Sequence, residues 1–296
     1  MTLRLPPITV TRWVNSPPLT PEDLRGRVVL VDIWEYTCVN WIRTAPYVRA
    51  WHRDYADLGL TVVGVHAPEF AFGRDPGNVD RAVREHRLAH PVAVDDDFTF
   101  WRALGNDAWP AKYLFDADGQ LVDRWVGEGD YEQVESEIRR LIEVRAPGTR
   151  LPPVSAEVTA FARTGQPTYV GITPETYLGA DRGRPGSFGV TGDWRSAGEY
   201  VELVAGGGEL ALPFEAGEVN LVLDPGPAGL AAVRVLLDGE PIGDARGADV
   251  HPDGVALFDR PAMFRLVAGA SRTDRHLLTL VADRPGLRAY VFTFGP

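Results

Sequence analysis

One cysteine, Cys38, and two methionines are all the sulfur in a chain of 296 residues, so thiol chemistry has a single address. A lone cysteine excludes an intrachain disulfide framework and any all-cysteine metal site. Positive charge is also short: 30 Lys and Arg face 41 Asp and Glu, a formal net charge of -11 with no long basic run. That balance argues against a general phosphate-backbone binder, and no nucleic-acid partner is expected. No apolar run approaches the roughly 18–20 residues of a membrane helix, so no membrane insertion is expected. Met1 to Val10 lacks a basic segment followed by an apolar core, and Pro6 and Pro7 interrupt it. The chain therefore reads as cytoplasmic, without a signal peptide.

What is present divides into two periodicities. In the first half, Arg27 to Ile33 and Leu60 to Val65 read as apolar strands. Between them Ala45, Val48, Trp51, Tyr55 and Leu58 recur at helical spacing, with Pro46 expected to kink that helix rather than abolish it. Asn78 to Leu88 predicts a helix with Asn78 as a candidate cap. Tyr113 to Phe115 and Leu121 to Val126 predict strands joined by an Asp-Ala-Asp-Gly turn, and Tyr131 to Val144 a closing helix. Strands covered by helices imply an α/β layer fold.

The Pro- and Gly-rich run from Ala146 to Pro153 marks a boundary. Beyond it, eight short strands between Tyr200 and Phe294, punctuated by Gly, Pro and Asp, imply an antiparallel β-sandwich. The expected organisation is an α/β domain over 1–146, a linker over 147–155 and a β-sandwich over 156–296, with residues 154–190 hard to assign internally. Gly206-Gly207-Gly208 reads as a flexible connection between two strands, since neither a phosphate-loop lysine nor a following helix accompanies it. No cofactor is expected.

Around the sulfur, Val31-Asp32-Ile33-Trp34-Glu35-Tyr36-Thr37-Cys38-Val39-Asn40-Trp41 reads as a strand, a turn and a helix opening at Cys38. Free backbone N–H groups and the helix dipole favour a thiolate at such a position. This segment, with Pro46, Trp109-Pro110 before a strand and the terminal strand pair and helix, makes residues 20–145 resemble a thioredoxin-like domain. Gly64-Val65-His66-Ala67-Pro68-Glu69, Gly127-Glu128-Gly129-Asp130-Tyr131 and, past the linker, Thr173-Pro174-Glu175-Thr176-Tyr177-Leu178-Gly179 are similar to the DipZ-type branch of that family. The resemblance implies a thioredoxin-like α/β domain followed by a jelly-roll-like β-sandwich likened to carbohydrate-binding modules.

It also implies roles. Cys38 matches the attacking cysteine, and Trp41 stands at the position of the resolving one, so the family's two-thiol reaction does not carry over intact. Asp32 matches a buried carboxylate that assists proton transfer. Pro110 matches a cis proline that shapes the substrate groove; Trp34, Tyr36, Asn40, Trp41 and Trp109 are its candidate lining, with Trp41 alternatively filling the former redox pocket, and Glu69 and Glu128 are accessory acids or local caps. The expected activity is one-cysteine exchange with a protein disulfide or low-molecular-weight thiol. The alternative, from another functional class, is a non-catalytic binding or scaffold protein.

Other readings are weaker. His52, His66, His86 and His90 show no metal-ligand spacing; His52 is expected on a solvent face and His66 in a loop. Asp95-Asp96-Asp97 lacks the spaced oxygen ligands of an EF-hand, so no metal is expected there. Thr37 directly precedes Cys38, unlike the Thr-x-x-Cys of a peroxiredoxin. Trp194, Tyr200 and Tyr290 could stack on a sugar, although core packing explains them equally, and glycan binding has only this support.

Overall fold

A computed structural model describes residues 3–165, 168–182 and 188–296. The chain divides into two compact units, Met1–Gln166 and Pro167–Pro296. In the first run β1 (Arg12–Val14), α1 (Pro21–Leu24), β2 (Val28–Trp34), α2 (Val39–Tyr55), β3 (Leu60–His66) and α3 (Pro76–Glu85). β4 (Val92–Val94), α4 (Thr99–Leu104), β5 (Ala111–Phe115), β6 (Leu121–Val126), α5 (Tyr131–Arg145) and α6 (Ala156–Thr164) complete it. Its six-stranded sheet has the order β1-β4-β3-β2-β5-β6. β2, β3 and β4 are parallel, while β1, β5 and β6 pair antiparallel to their neighbours.

Central β2 is buried at all seven positions because helices cover both sheet faces. Val29, Val31 and Ile33 join one apolar cluster with Phe100 and Leu104, whereas Val28 and Leu30 meet Val48, Trp51 and Tyr55 of α2. The period of two therefore sends Asp32 and Trp34 to the α2 side. Register adds Gly64 and His66 of β3 and Lys112 of β5 to that face. Pro46 lies within α2, which continues through it.

Several expectations need correction. The α3 cap is Asp75, whose carboxylate accepts from Gly77 and Asn78, with Pro76 in the first turn; Asn78 instead donates to the Phe72 carbonyl. Residues 147–155 lie inside the first unit. Buried Glu135 on α5 accepts from the Ser155 backbone N–H (2.9 Å) and hydroxyl (2.7 Å), and Arg139 donates to the Pro152 carbonyl (2.7 Å). These bonds dock α6 onto the α/β unit, so a Pro- and Gly-rich composition here marks a turn rather than a break.

The second unit contains β7 (Thr176–Tyr177), β8 (Gly189–Ser196), β9 (Val201–Phe214), β10 (Glu218–Asp224) and β11 (Ala231–Leu237). β12 (Glu240–Pro241), β13 (Val255–Phe258), β14 (Ala262–Ala268), β15 (His276–Ala282) and β16 (Arg288–Gly295) follow. All pairings among these described strands are antiparallel. Together they form a ten-stranded, curled sheet that fits a β-sandwich around one apolar cluster including Leu210, Leu221, Val235, Phe258 and Phe292. Gly206-Gly207-Gly208 is not a connection but part of the 14-residue β9, where Gly206 (φ 60°) bends the strand and Gly208 lets Trp194 approach. A Cβ on Gly208 would lie 2.7 Å from the Trp194 indole nitrogen.

Candidate active site around Cys38

β2 ends at Trp34, and the chain turns through Glu35, Tyr36 and Thr37 to reach Cys38, the residue that precedes α2. The turn is closed by the Cys38 N–H donating to the Glu35 carbonyl at 3.2 Å. Cys38 is extended (φ -74°, ψ 111°), its carbonyl accepts the first helical bond from Ile42, and its side chain makes no capping bond. The thiol is thus half-buried at the positive end of a 17-residue helix, where a negative charge is favoured.

Trp41 closes the space beneath. It is 1% exposed, stacks on Trp34 at 4.4 Å between ring centroids, and its indole N–H donates to Asp32 Oδ2 at 3.0 Å. Asp32 is fully buried. Burial pushes its carboxyl up to about 6, against the opposing effects of the Trp41 hydrogen bond and the Lys112 charge. Lys112 lies opposite Asp32 in the β2–β5 register, is itself buried, and donates to the Gly127 carbonyl at 2.9 Å. Burial lowers its ammonium, while the charge of Asp32 resists that fall. The resolving position therefore holds a hydrogen-bond donor locked onto the buried carboxylate.

A second polar group lies beside the turn. Glu35 is 0% exposed; Oε2 accepts the Thr37 N–H at 2.6 Å and also the Thr37 hydroxyl. Oε1 has no hydrogen-bond partner among the described residues and faces His66 Nε2 at 3.9 Å. His66 is the last residue of β3 rather than a loop residue; it meets Trp34 edge-on at 4.9 Å and stacks on Tyr36 at 5.8 Å. Neither of its ring nitrogens has a hydrogen-bond partner among the described residues. Further along this face, buried His90 is held low, at about 3, by burial and by nearby His52. His52 is half-buried against His90 (5.7 Å), not solvent-facing.

The expected groove residues separate. Trp34 and Trp41 are buried under the turn and do not line an open surface; Tyr36 is nearly so, packed on Phe72. Asn40 sits in the first turn of α2, its carbonyl accepting from Thr44. Trp109–Pro110 is a cis peptide bond. Ala111 pairs with Ile33, so Pro110 lies at the same sheet end as the Cys38 turn. Half-buried Trp109 donates to the Ala67 carbonyl at 3.0 Å and packs on Trp101 at 4.4 Å, with Phe98 against both. Phe98 and Trp101 were not signalled by any motif. They are brought in by Asp95, whose carboxylate accepts from the backbone of Phe100 and Trp101 and so starts α4. Glu69 is half-buried in the turn after β3, and Glu128 faces Arg43 at 3.7 Å.

In the second unit, Tyr290 is buried, Tyr200 packs on Tyr290 (5.1 Å) and beneath Arg288, and Trp194 packs against the core.

The model of the Redoxin family matches residues 5–142, and that of the thioredoxin-like C-terminal domain matches residues 160–295. Protein DipZ of Mycobacterium tuberculosis is 32% identical over 97% of this chain and 42% of its own length. Thiol-disulfide oxidoreductase YkuV of Bacillus subtilis is 32% identical over 44% of this chain and 87% of its own. The chain belongs to the thioredoxin-like family and is similar to the DipZ proteins over nearly its whole length. That family is thiol-disulfide oxidoreductase-like in character. The chain spans about two-fifths of the length of the DipZ relatives, 42%. Among solved structures, a thioredoxin-like protein in its oxidized form is 31% identical, with a TM-score of 0.44 over 49% of this chain and 99% of that one. Among the described residues, no helix is long and apolar enough to cross a membrane.

Proposed function

We propose that this DipZ-like chain performs one-cysteine thiol–disulfide exchange through Cys38. The observation that carries it is the half-buried thiol at the start of α2, beside a resolving position filled by Trp41. The Cys38 thiolate attacks one sulfur of a disulfide; the new S–S bond joins it to that sulfur, and the other leaves as a thiolate that takes up a proton. A thiol from outside the chain then attacks the mixed disulfide, releases the Cys38 thiolate and leaves as part of a new disulfide. Protein disulfides or small thiols are the partners, as the oxidoreductase names of the relatives suggest.

Pro110 and the Trp109 backbone shape the groove for the substrate strand, and Trp101 and Phe98 form its aromatic wall. Asp32, bonded to Trp41, acts on Cys38 only through the electrostatics of the floor. The test is incubation of the full chain with a small aromatic disulfide, read by intact mass. A single adduct is expected, absent in Cys38→Ser and removed by added thiol. A chain that stays unmodified until it unfolds supports the second reading, a binding or scaffold protein, which the sealing of the pocket by Trp41 favours. In that reading the β-sandwich serves as an interaction module.

A further inference from the structure

We propose that Glu35 is a positioning residue for Cys38, acting through Thr37 and held against His66; this rests on the exchange reading above. The two Thr37 donors converge on one oxygen of a side chain with no exposure, and the Glu35 carbonyl takes the Cys38 N–H. The turn that presents the sulfur is thus built by one residue from both its ends. Two donors on a single carboxyl oxygen fit an ionised, acceptor-only group. The other oxygen faces His66 Nε2 at 3.9 Å, and the chamber around it is tight: a Cβ on Gly73 would lie 3.7 Å away. His66 carries two buried nitrogens without hydrogen-bond partners among the described residues, one of them the Nε2 that faces this oxygen.

Thr37 immediately precedes Cys38, so covalent geometry keeps the carboxylate within about 10 Å of the sulfur. A buried anion at that range opposes the helix terminus and raises the proton affinity of the thiol. A more basic sulfur leaves less readily, so the mixed disulfide persists until an outside thiol arrives. That suits a protein with no second cysteine. Ionisable groups around this end include Tyr36 in the turn, stacked on His66, His66 on β3, His86 after α3, which feels the charge of Glu35, and Asp32 and Lys112 on β2 and β5.

The test is Glu35→Gln in the full chain, which keeps an oxygen for the Thr37 donors and removes the charge. The rate of Cys38 alkylation is followed against pH by intact mass, together with the thermal midpoint. The alkylation midpoint is expected to fall by about one pH unit, with the mixed disulfide released faster by added thiol. An unchanged midpoint in a folded Glu35→Gln protein overturns the proposal. Should that variant not fold, Thr37→Val decides. Loss of the hydroxyl donor to Glu35 is expected to move the Cys38 alkylation midpoint, and an unmoved midpoint in that folded variant overturns the proposal. Failure of the exchange reading shows separately, as an unaltered Cys38 that alkylates yet forms no mixed disulfide.

Discussion

The two units treat buried charge in opposite ways. The α/β unit buries Asp32, Glu35, His66, His90, Asp95, Lys112 and Glu135, and four of these (Asp32, Glu35, His66 and Lys112) gather on the α2 side near the sheet end that presents Cys38. In the β unit Glu202, at 7% exposure and held by Arg195 and Arg288, is the one buried Asp, Glu, His, Lys or Arg side chain among the described residues. The β core is otherwise closed by apolar side chains with Asn220, Thr279 and Thr293 at its strands. Burying a charge is costly unless it is paired, so a fold that concentrates several in one place gains something other than stability there. One unit gathers buried ionisable groups at the end that carries Cys38, and the other is closed by apolar packing.

The largest expected separation is in core substitutions. Phe258→Ala in the β core, where the ring is fully buried, should cost about 3–5 kcal/mol in denaturant melts. Its folded fraction should alkylate Cys38 with the unaltered pH profile; a shifted midpoint would break the contrast between the two units.

The next effect is in pH dependence. The carboxyl of Asp32, raised to about 6, binds its proton more tightly folded than unfolded. It therefore contributes stability that is present below about pH 4 and is lost as pH rises towards about 6, on the order of 3 kcal/mol. His90, held at about 3, has the opposite sign: its contribution is present above about pH 6.5 and is lost as pH falls towards 3. The two slopes oppose each other between about pH 4 and 6. Asp32→Asn should remove one of them, leaving stability that falls steadily on acidification in urea melts. A profile unchanged by Asp32→Asn would show that the floor carboxyl is not a strained one.

The smallest effect sharpens the same point. Trp41→Phe keeps most of the ring volume and deletes the N–H that Asp32 accepts. At pH 7, where Asp32 is charged, the loss should be about 1.5–3 kcal/mol; at pH 4.5, with Asp32 protonated, it should shrink. An equal loss at both pH values would make Trp41 a space-filling residue only.

Much of this was legible in the sequence. Continuous apolar runs placed β2 and β3, and helical spacing placed α2, because a strand covered on both faces is apolar throughout and a helix buries one stripe. The run before Cys38 and the Trp-Pro dipeptide pointed to the right end of the sheet. Three-residue β4, two-residue β7 and β8, exposed apart from half-buried Trp194, escaped, since the first two are too short to carry a pattern and the third has almost no buried face. The docking of α6 escaped for another reason: Glu135 and Ser155 lie 20 residues apart in sequence, and only the packed helices bring them together.

By itself the sequence determined that one sulfur begins a helix after an apolar strand, that no second thiol can answer it, and that two domains of different periodicity follow one another. Those are local or compositional properties. The tertiary structure alone decided that the indole of Trp41 would be bonded to Asp32, that Lys112 would lie across from that carboxylate, and that Glu35 would turn inward to Thr37 and His66. The physical reason is that a polar side chain's partner is set by sheet register and by the helices laid over it. Neither can be read from the spacing of residues along the chain.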